Sequence, residues 1–451
     1  MLSLRRRSAL HAPEAPRFGP RRRWLRRLAG AGALLIVVAA SGALWLNFNA
    51  DAVPVLVDAA RATFGPQPVA QVEALVFGVQ DFVRRTDYQA TGAAPTLHWA
   101  APSMREPKPA GNGAPSAAPD SAVRSDPAAF AETPAQPASP AVADVPAVAD
   151  IPAVADVPAV AAVPAVAAVP AVAAVPAAAA VPAVAGTTLN WSPYVSDDNG
   201  VPLLERTIVA PDPSRPYVEA ALVRIDLTRT QLHLVAGTTE PAAPIHIARP
   251  GTIPRAVRSS DALLAAFNGG FKAANGHYGM AVDGTTLLPP QDGLATLAIY
   301  RDGSVRMGVW GQDITASPDL VAFRQNCPLL LDNGALTPET DSTGIALWGK
   351  TVGNKVTTWR SGLGLSADGH SLIYAVGDGL TVPSLAEALR QGGAARGMQL
   401  DINSFWTRFV TFAPGANGKL QAAKLLDGMR GNTSQFLAPD SRDFFYLTRQ
   451  P

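Results

Sequence analysis

Three short stretches gather the side chains able to do chemistry. The first is AFNGGFKAANGHYGM (266–280), in which Asn268, Lys272, His277 and Tyr278 are grouped around a Gly-Gly pair. Paired glycines allow positive φ and close approach of backbone to a ligand; a purely structural turn calls for the same residues. The second is TTWRSGLGLSADG, where Arg360 stands inside an apolar strand pattern. A cation there is costly unless it meets an anion. The third is GMQLDIN, where Asp401 and Asn403 close an apolar run that follows a helical one. Carboxylates at such strand ends are frequent catalytic positions in open sheets. Asp332, in LLLDNGAL, ends another strand pattern, and Asp-Asn-Gly reads first as a turn and second as a way to present a carboxylate. Cys327, the single cysteine, precedes a very apolar run and reads as a buried thiol. No HExxH, paired CxxC or EF-hand spacing occurs, so no metal is expected, and no P-loop or dinucleotide fingerprint calls for a cofactor.

The three stretches, in this order, resemble the phosphodiester glycosidase domain family, which shows Asn-Gly-Gly-Phe, then an Arg-[Thr/Ser]-x-x-Gly strand, then a helix and a Leu-Asp-Gly-Gly-Gly-Ser loop. The chain carries Asn268-Gly269-Gly270-Phe271, Arg360-Ser361-Gly362-Leu363-Gly364, and Leu385-Ala386-Glu387 leading to Leu400-Asp401. Ile402-Asn403-Ser404 stand where the family has three glycines. The likeness covers roughly residues 200–450, and NGGFKAANGHYGM and DINSFW look like a bacterial, membrane-anchored branch.

The resemblance implies hydrolysis of a sugar phosphodiester, on envelope or extracellular glycans, without a cofactor. Its chemistry suggests roles for these residues. Arg360 is the choice to grip the phosphate, since arginine suits bidentate contact, with Lys272 as a second cation. Asp401 would face the positive charge that builds on the sugar ring. Asn268 and Asn403 would hydrogen-bond hydroxyls. His277 and Tyr278 suit acid–base work or stacking, with a solvated loop pair the equal alternative. Trp310, Trp348, Trp359 and Trp406 are sugar platforms or core. The rival reading is a glycan-binding envelope module of the same fold that has lost catalysis.

These residues need a scaffold, and residues 187–451 have the texture of one. Extended apolar runs flank the hairpin signals Asp283-Gly284, Asp302-Gly303 and Asp368-Gly369. VPSLAEALRQGG is the clearest helix, SSDALLAA reads as a short helical run, and RDFFYLT and RFVTFAPGANGKLQAAKLL look like closing strands. An α+β domain with a mixed β-sheet, hairpins and a few helices is expected.

Upstream, residues 101–186 form a Pro/Ala-rich spacer that from residue 145 repeats every six positions (VPAVAD, VPAVAA). A proline every six residues blocks helix, and the side chains are too small for a core. Its 42 repeat residues would reach on the order of 130 Å, and it reads as a disordered tether holding the domain off a membrane. Within 51–98, Val69, Val72, Leu75, Val76, Val79, Phe82 and Val83 recur at three- and four-residue steps, a helical stalk whose apolar stripe should be packed.

Residues 28–46 are 19 positions without a charge, long enough to cross a bilayer. They follow a basic tail, 1–27, that includes Arg21, Arg22, Arg23, Arg26 and Arg27. The arginine bias predicts a single span in a cell inner membrane, tail in the cytoplasm and domain in the periplasm or outside; a cleaved twin-arginine export signal is the competing reading. Net charge is +1, so no nucleic-acid partner is expected.

Overall fold

Extended apolar runs broken by tight turns close the domain into three sheets, in which every ladder is antiparallel. The computed structural model describes residues 59–60, 63–93, 97–100 and 189–450, except 246, 342–346, 350–355 and 416–418. The basic tail, the 28–46 segment and the 101–186 repeats lie outside the described residues, and among the described residues no helix is long and apolar enough to cross a membrane. Of two compact units, the smaller, 107–180, is likewise outside them; all that follows concerns the larger.

The first sheet runs in the order Ser192–Ser196, Pro202–Val209, Ala220–Asp226, Ser371–Leu380, Thr358–Leu365, Arg396–Ile402, Leu329–Asp332, Ala335–Leu336. Its centre is nearly all buried, so these strands read as continuous apolar runs rather than alternations. The second sheet is Thr285–Leu288, Met280–Val282, Leu320–Gln325, Ala295–Tyr300, Val305–Val309, and the third is Leu420–Lys424, Phe409–Pro414, Leu263–Asn268, Phe444–Arg449, Thr230–Val235. The three Asp-Gly pairs do make the hairpin turns; Asp283 and Gly284, at φ 49° and 75°, have the two positive φ values that match a turn to the twist of the strands.

SSDALLAA departs from expectation. Leu263–Asn268 is a strand, buried at all six positions between Phe409–Pro414 and Phe444–Arg449. Its apolar residues serve both faces of a central strand, a pattern that over six positions cannot be told from a buried helical turn. Phe267 from this strand stacks on Phe409 and Phe445 and meets Tyr374 of the first sheet, and this ring cluster is the centre of the main core. The opposite face of the first sheet is covered by a helix at Val382–Gln391, opened by a Thr381–Ser384 capping box and burying Leu385, Ala388 and Leu389.

The stalk helix, α1 (Pro66–Thr91), begins with proline in its first turn and ends on Gly92 in the left-handed region. It packs, but not through the expected stripe. Arg84 meets Asp378 at 2.5 Å, Arg215 reaches Asp81, and Tyr88 lies 5.8 Å from the Tyr217 ring. After the helix, Leu97 donates its N–H to Glu219, Trp99 bridges to Leu426, and Arg206 sits 4.4 Å over the Trp99 ring. The domain therefore includes described residues on both sides of the 101–186 stretch. That stretch does not stand between the N-terminal segment and the domain, as a tether would.

Candidate active site

The three motif stretches converge through one hydroxyl. Ser361 Oγ accepts from Asn268 Nδ2 at 3.0 Å and donates to the Asp401 carbonyl at 3.2 Å. Thr358–Leu365 pairs with Arg396–Ile402 on one side and with Ser371–Leu380 on the other, and from the latter the Tyr374 hydroxyl donates to Asn268 Oδ1 at 2.9 Å. Asn268 is thereby filled: its side chain also donates to the Gly269 carbonyl and accepts from the Arg408 N–H. It ties the strand ends together.

The Gly-Gly pair is explained by packing. Neither glycine lies in the left-handed φ region. A Cβ on Gly269 would sit 2.0 Å from Asp443 Oδ2, and one on Gly270 would sit 3.1 Å from the Arg324 guanidinium. Asp443 and Arg324 form a fully buried ion pair at 2.9 Å. Arg324 also donates to the Phe271 and Gln325 carbonyls, and Asp443 accepts from the Gly270 N–H. The pair holds the NGGF backbone in place, with its polar atoms engaged as buried charges require.

Beside this loop opens a cleft of about 500 Å3, lined by Phe271, Lys272, Trp359, Asp401, Asn403, Phe405, Trp406, Arg430 and Arg442, and on one side by Phe77, Gln80 and Arg84 of α1. Asp401 and Arg442 meet in it: Arg442 Nη2 lies 2.6 Å from Asp401 Oδ2. Asp401 Oδ1 accepts from the Ile402 N–H at 2.8 Å. Arg442 Nη2 also donates to the Gly270 carbonyl, and the guanidinium lies 4.7 Å from the centroid of Trp406. Its Nε is buried without a hydrogen-bond partner. Burial pushes the Asp401 carboxyl above the usual carboxylate range, with the Arg442 charge pulling against it. The neighbouring carboxylates Asp401 and Asp443 outweigh burial at Arg442 and raise it.

The remaining candidates divide between cleft and scaffold. Lys272 lines the cleft, its Nζ 5.5 Å from the Trp406 centroid. Asn403 lines it at φ 65°, and its side chain accepts from the Phe405 N–H, so it shapes the turn that carries Phe405 and Trp406. Trp359 and Trp406 line the cleft, whereas Trp310 and Trp348 are buried in apolar clusters. Arg360 is elsewhere. It is wholly buried behind the cleft, donating to the Leu380 and Val356 carbonyls and to Gln399 Oε1, and burial draws its pKa down to about 10. Neutral acceptors, not an anion, satisfy it. His277 is exposed in a loop outside the cleft, and Tyr278 is buried with its hydroxyl 3.7 Å from Cys327 Sγ. Burial raises both that phenol and the thiol, the latter to about 12. Asp332 ends its strand in a turn and pairs with Arg396, away from the cleft. Among the described residues no group of three or more His, Cys, Asp or Glu is placed to hold a metal.

Arg442 was not legible as a site residue. Its one sequence signal is an adjacent Arg-Asp pair opening the apolar run FFYLT.

Residues 261–401 match the phosphodiester glycosidase family model. The matched segment begins just before the NGGF strand and ends on Asp401, while Trp406, Arg442 and Asp443 lie beyond it. No curated protein matches the chain. Among solved structures, a zebrafish N-acetylglucosamine-1-phosphodiester alpha-N-acetylglucosaminidase catalytic domain, auto-inhibited by its pro-peptide, is 18% identical with a TM-score of 0.38, over 60% of this chain and 91% of that one. A hypothetical protein from Synechocystis is 13% identical (TM-score 0.33), over 59% of this chain and 64% of that one. A putative exported protein from Burkholderia pseudomallei is 12% identical (TM-score 0.29), over 52% and 74%.

Proposed function

We propose that the domain hydrolyses glycosyl phosphodiesters, with Asp401 and Arg442 as the reacting pair. The observation that carries this reading is the unpartnered Nε of Arg442, buried beside the Asp401 carboxylate in an aromatic-lined cleft. Breaking the bond from the anomeric carbon to a phosphate oxygen separates charge. The sugar ring becomes positive and the leaving phosphate gains a negative charge with the bonding electrons. An ion pair lying across that bond offers each fragment its opposite, already oriented. Asp401 faces the oxocarbenium, Arg442 turns its free N–H to the phosphate, and water adds to the anomeric carbon, passing its proton to the departing phosphate. Phosphate leaves readily, so no separate strong acid is required. Trp406 and Trp359 supply stacking surfaces, and Lys272 and Arg430 add positive charge for an anionic substrate. The match of residues 261–401 to the phosphodiester glycosidase model supports the same class.

The test is turnover of a panel of sugar phosphodiesters by the full chain. Asp401→Asn is expected to lower kcat by at least about 100-fold with KM nearly kept. Arg442→Ala should raise KM and lower kcat together. Near-normal turnover by a folded Asp401→Asn protein would remove Asp401 from the chemistry. A second reading, a glycan-binding module without catalysis, is favoured by the engagement of both Asp401 oxygens with Arg442 and the Ile402 N–H. Saturable binding without turnover by the parent protein would establish it.

The domain acts, in this proposal, outside the cytoplasm on envelope or extracellular glycans, anchored by residues 28–46. The arginine bias ahead of that apolar segment supports it.

A further inference from the structure

Two buried strands at the centre of the first sheet each break their burial once, and they do so side by side. Thr358–Leu365 is buried at every position but Trp359, and Ser371–Leu380, past its first residue, at every position but Asp378. Thr358 faces Leu380 and Arg360 faces Gly377, so a bulge sets Trp359 against Asp378 and Gly379. On the other side, the Trp359 carbonyl accepts from the Asn403 N–H at 2.8 Å. One row across three adjacent strands and their ends thus carries Asp378, Trp359 and Asn403, two residues past Asp401, and all of it lines the cleft. Over the Asp378 end stands α1. Arg84 pairs with Asp378, yet the two side chains stay 30% and 31% exposed, and Gln80, one helical turn before Arg84, lines the same wall.

We propose that Arg84, Asp378 and Gln80 form a hydroxyl-reading subsite for the sugar of the phosphodiester, so that the preferred glycone is a neutral pyranose with two neighbouring hydroxyls remote from its anomeric carbon. The inference rests on the hydrolytic reading above, in which Asp401 faces that carbon. Lys272 and Arg442 lie 5.5 and 4.7 Å from the Trp406 ring, and Arg442 holds Asp401, so the cations that suit a phosphate gather there. The Arg84 charge, by contrast, is already met by Asp378. The sugar then extends the other way, over Trp359. Two strand spacings put Asp378 on the order of 10 Å from the strand of Asp401, a gap that one pyranose ring bridges when side chains reach it from both ends. A carboxylate only accepts and a guanidinium only donates, so a partly exposed Asp–Arg pair offers complementary partners to the two oxygens of a diol. An acidic group there would gain from Arg84 only what it loses to Asp378. An acyl chain would cut the pair off from water without replacing its hydrogen bonds. Gln80 and Arg84 belong to α1, upstream of the 261–401 match, so the subsite joins the chemistry of the matched segment to an element outside it.

The experiment uses the full chain purified in detergent, and its first arm needs no turnover. Calorimetry with methyl glycosides of glucose, galactose and mannose is expected to find one that binds saturably. Deoxygenating that sugar at position 3 or 4 should weaken binding about 10-fold, the worth of one hydrogen bond. In Gln80→Ala and in Asp378→Asn the penalty for at least one of these deoxygenations should vanish, because the partner of that hydroxyl is gone. Gln80→Ala leaves untouched the ion pair that holds α1, so the arm does not depend on how Asp378→Asn folds. The second arm follows hydrolysis of the same sugars as glycosyl methyl phosphates, whose leaving group is too small to reach α1. Each substitution should lower kcat/KM about 10-fold on the full sugar and leave it unchanged on one of the deoxy sugars. Selective binding without hydrolysis would sink the hydrolytic reading and leave the subsite standing. Equal binding of full and deoxy sugars, no binding of any glycoside, or hydrolysis indifferent to both substitutions would overturn the subsite.

Discussion

Two arginines illustrate how one residue type does opposite work in one domain. Arg360 spends its donors on two carbonyls and Gln399, and Arg442, which lines the cleft, keeps its buried Nε unpartnered. Arg360→Met should therefore cost stability, because the buried Leu380 and Val356 carbonyls lose their donor at about 1–3 kcal/mol each. A thermal melt checks it, and the KM of the protein that remains folded should be unchanged. Gly269→Ala should be equally harmful to folding, since its Cβ has no room beside Asp443. The pH dependence follows from Asp401. Its carboxyl is raised by burial, so it takes up a proton at a higher pH than an exposed aspartate would. As pH falls through that raised value the charge is lost and kcat should fall with it. The Arg442 charge pulls the other way, so Arg442→Ala should move the acid limb of the kcat profile further up; a downward move would mean that another group titrates there.

At the scale of elements, α1 walls the cleft on one side and exposes an apolar stripe on the other. A fragment starting near residue 187 loses Phe77, Gln80 and Arg84 from the cleft and uncovers Tyr217. It should melt below the full chain and bind substrate more weakly, as enzyme kinetics on the two proteins would show. Much of this scaffold was legible. Asp-Gly turns with positive φ, the Thr381-capped helix and the buried run ending at Asp401 all follow from local rules that the fold obeys. Periodicity failed where tertiary context decides. Leu263–Asn268 is apolar at consecutive positions because sheets flank it, and six such residues do not declare a strand. Burial is the ordinary fate of an apolar stripe such as that of α1. The domain instead grips the helix by Asp81, Arg84 and Tyr88, contacts that no hydrophobic pattern encodes. Arg442 belongs to no motif, and only the fold carries it back to Asp401.

For the whole molecule, the question is how the domain is attached to whatever precedes it. A reporter active only outside the cytoplasm, fused after residue 451, should be active if residues 28–46 span with the tail inside; activity of a cytoplasm-only reporter would reverse that topology. Removing several six-residue repeats from 145–186 should leave the melting temperature unchanged, because no side chain there is able to build a core. The return of the chain to the domain on both sides of those repeats has a consequence for proteolysis. Pro/Ala-rich sequence between a membrane segment and a folded domain would ordinarily be where a protease releases the domain. Here a cut within 101–186 severs the chain without freeing anything: α1 and the strand-bridging Trp99 remain bound to the domain through Asp378, Arg215 and Leu426. The nicked protein should separate into two pieces on a denaturing gel and run as one species under native conditions. If residues 28–46 anchor the chain, shedding would require a cut N-terminal to α1, in the run from 47 to 65.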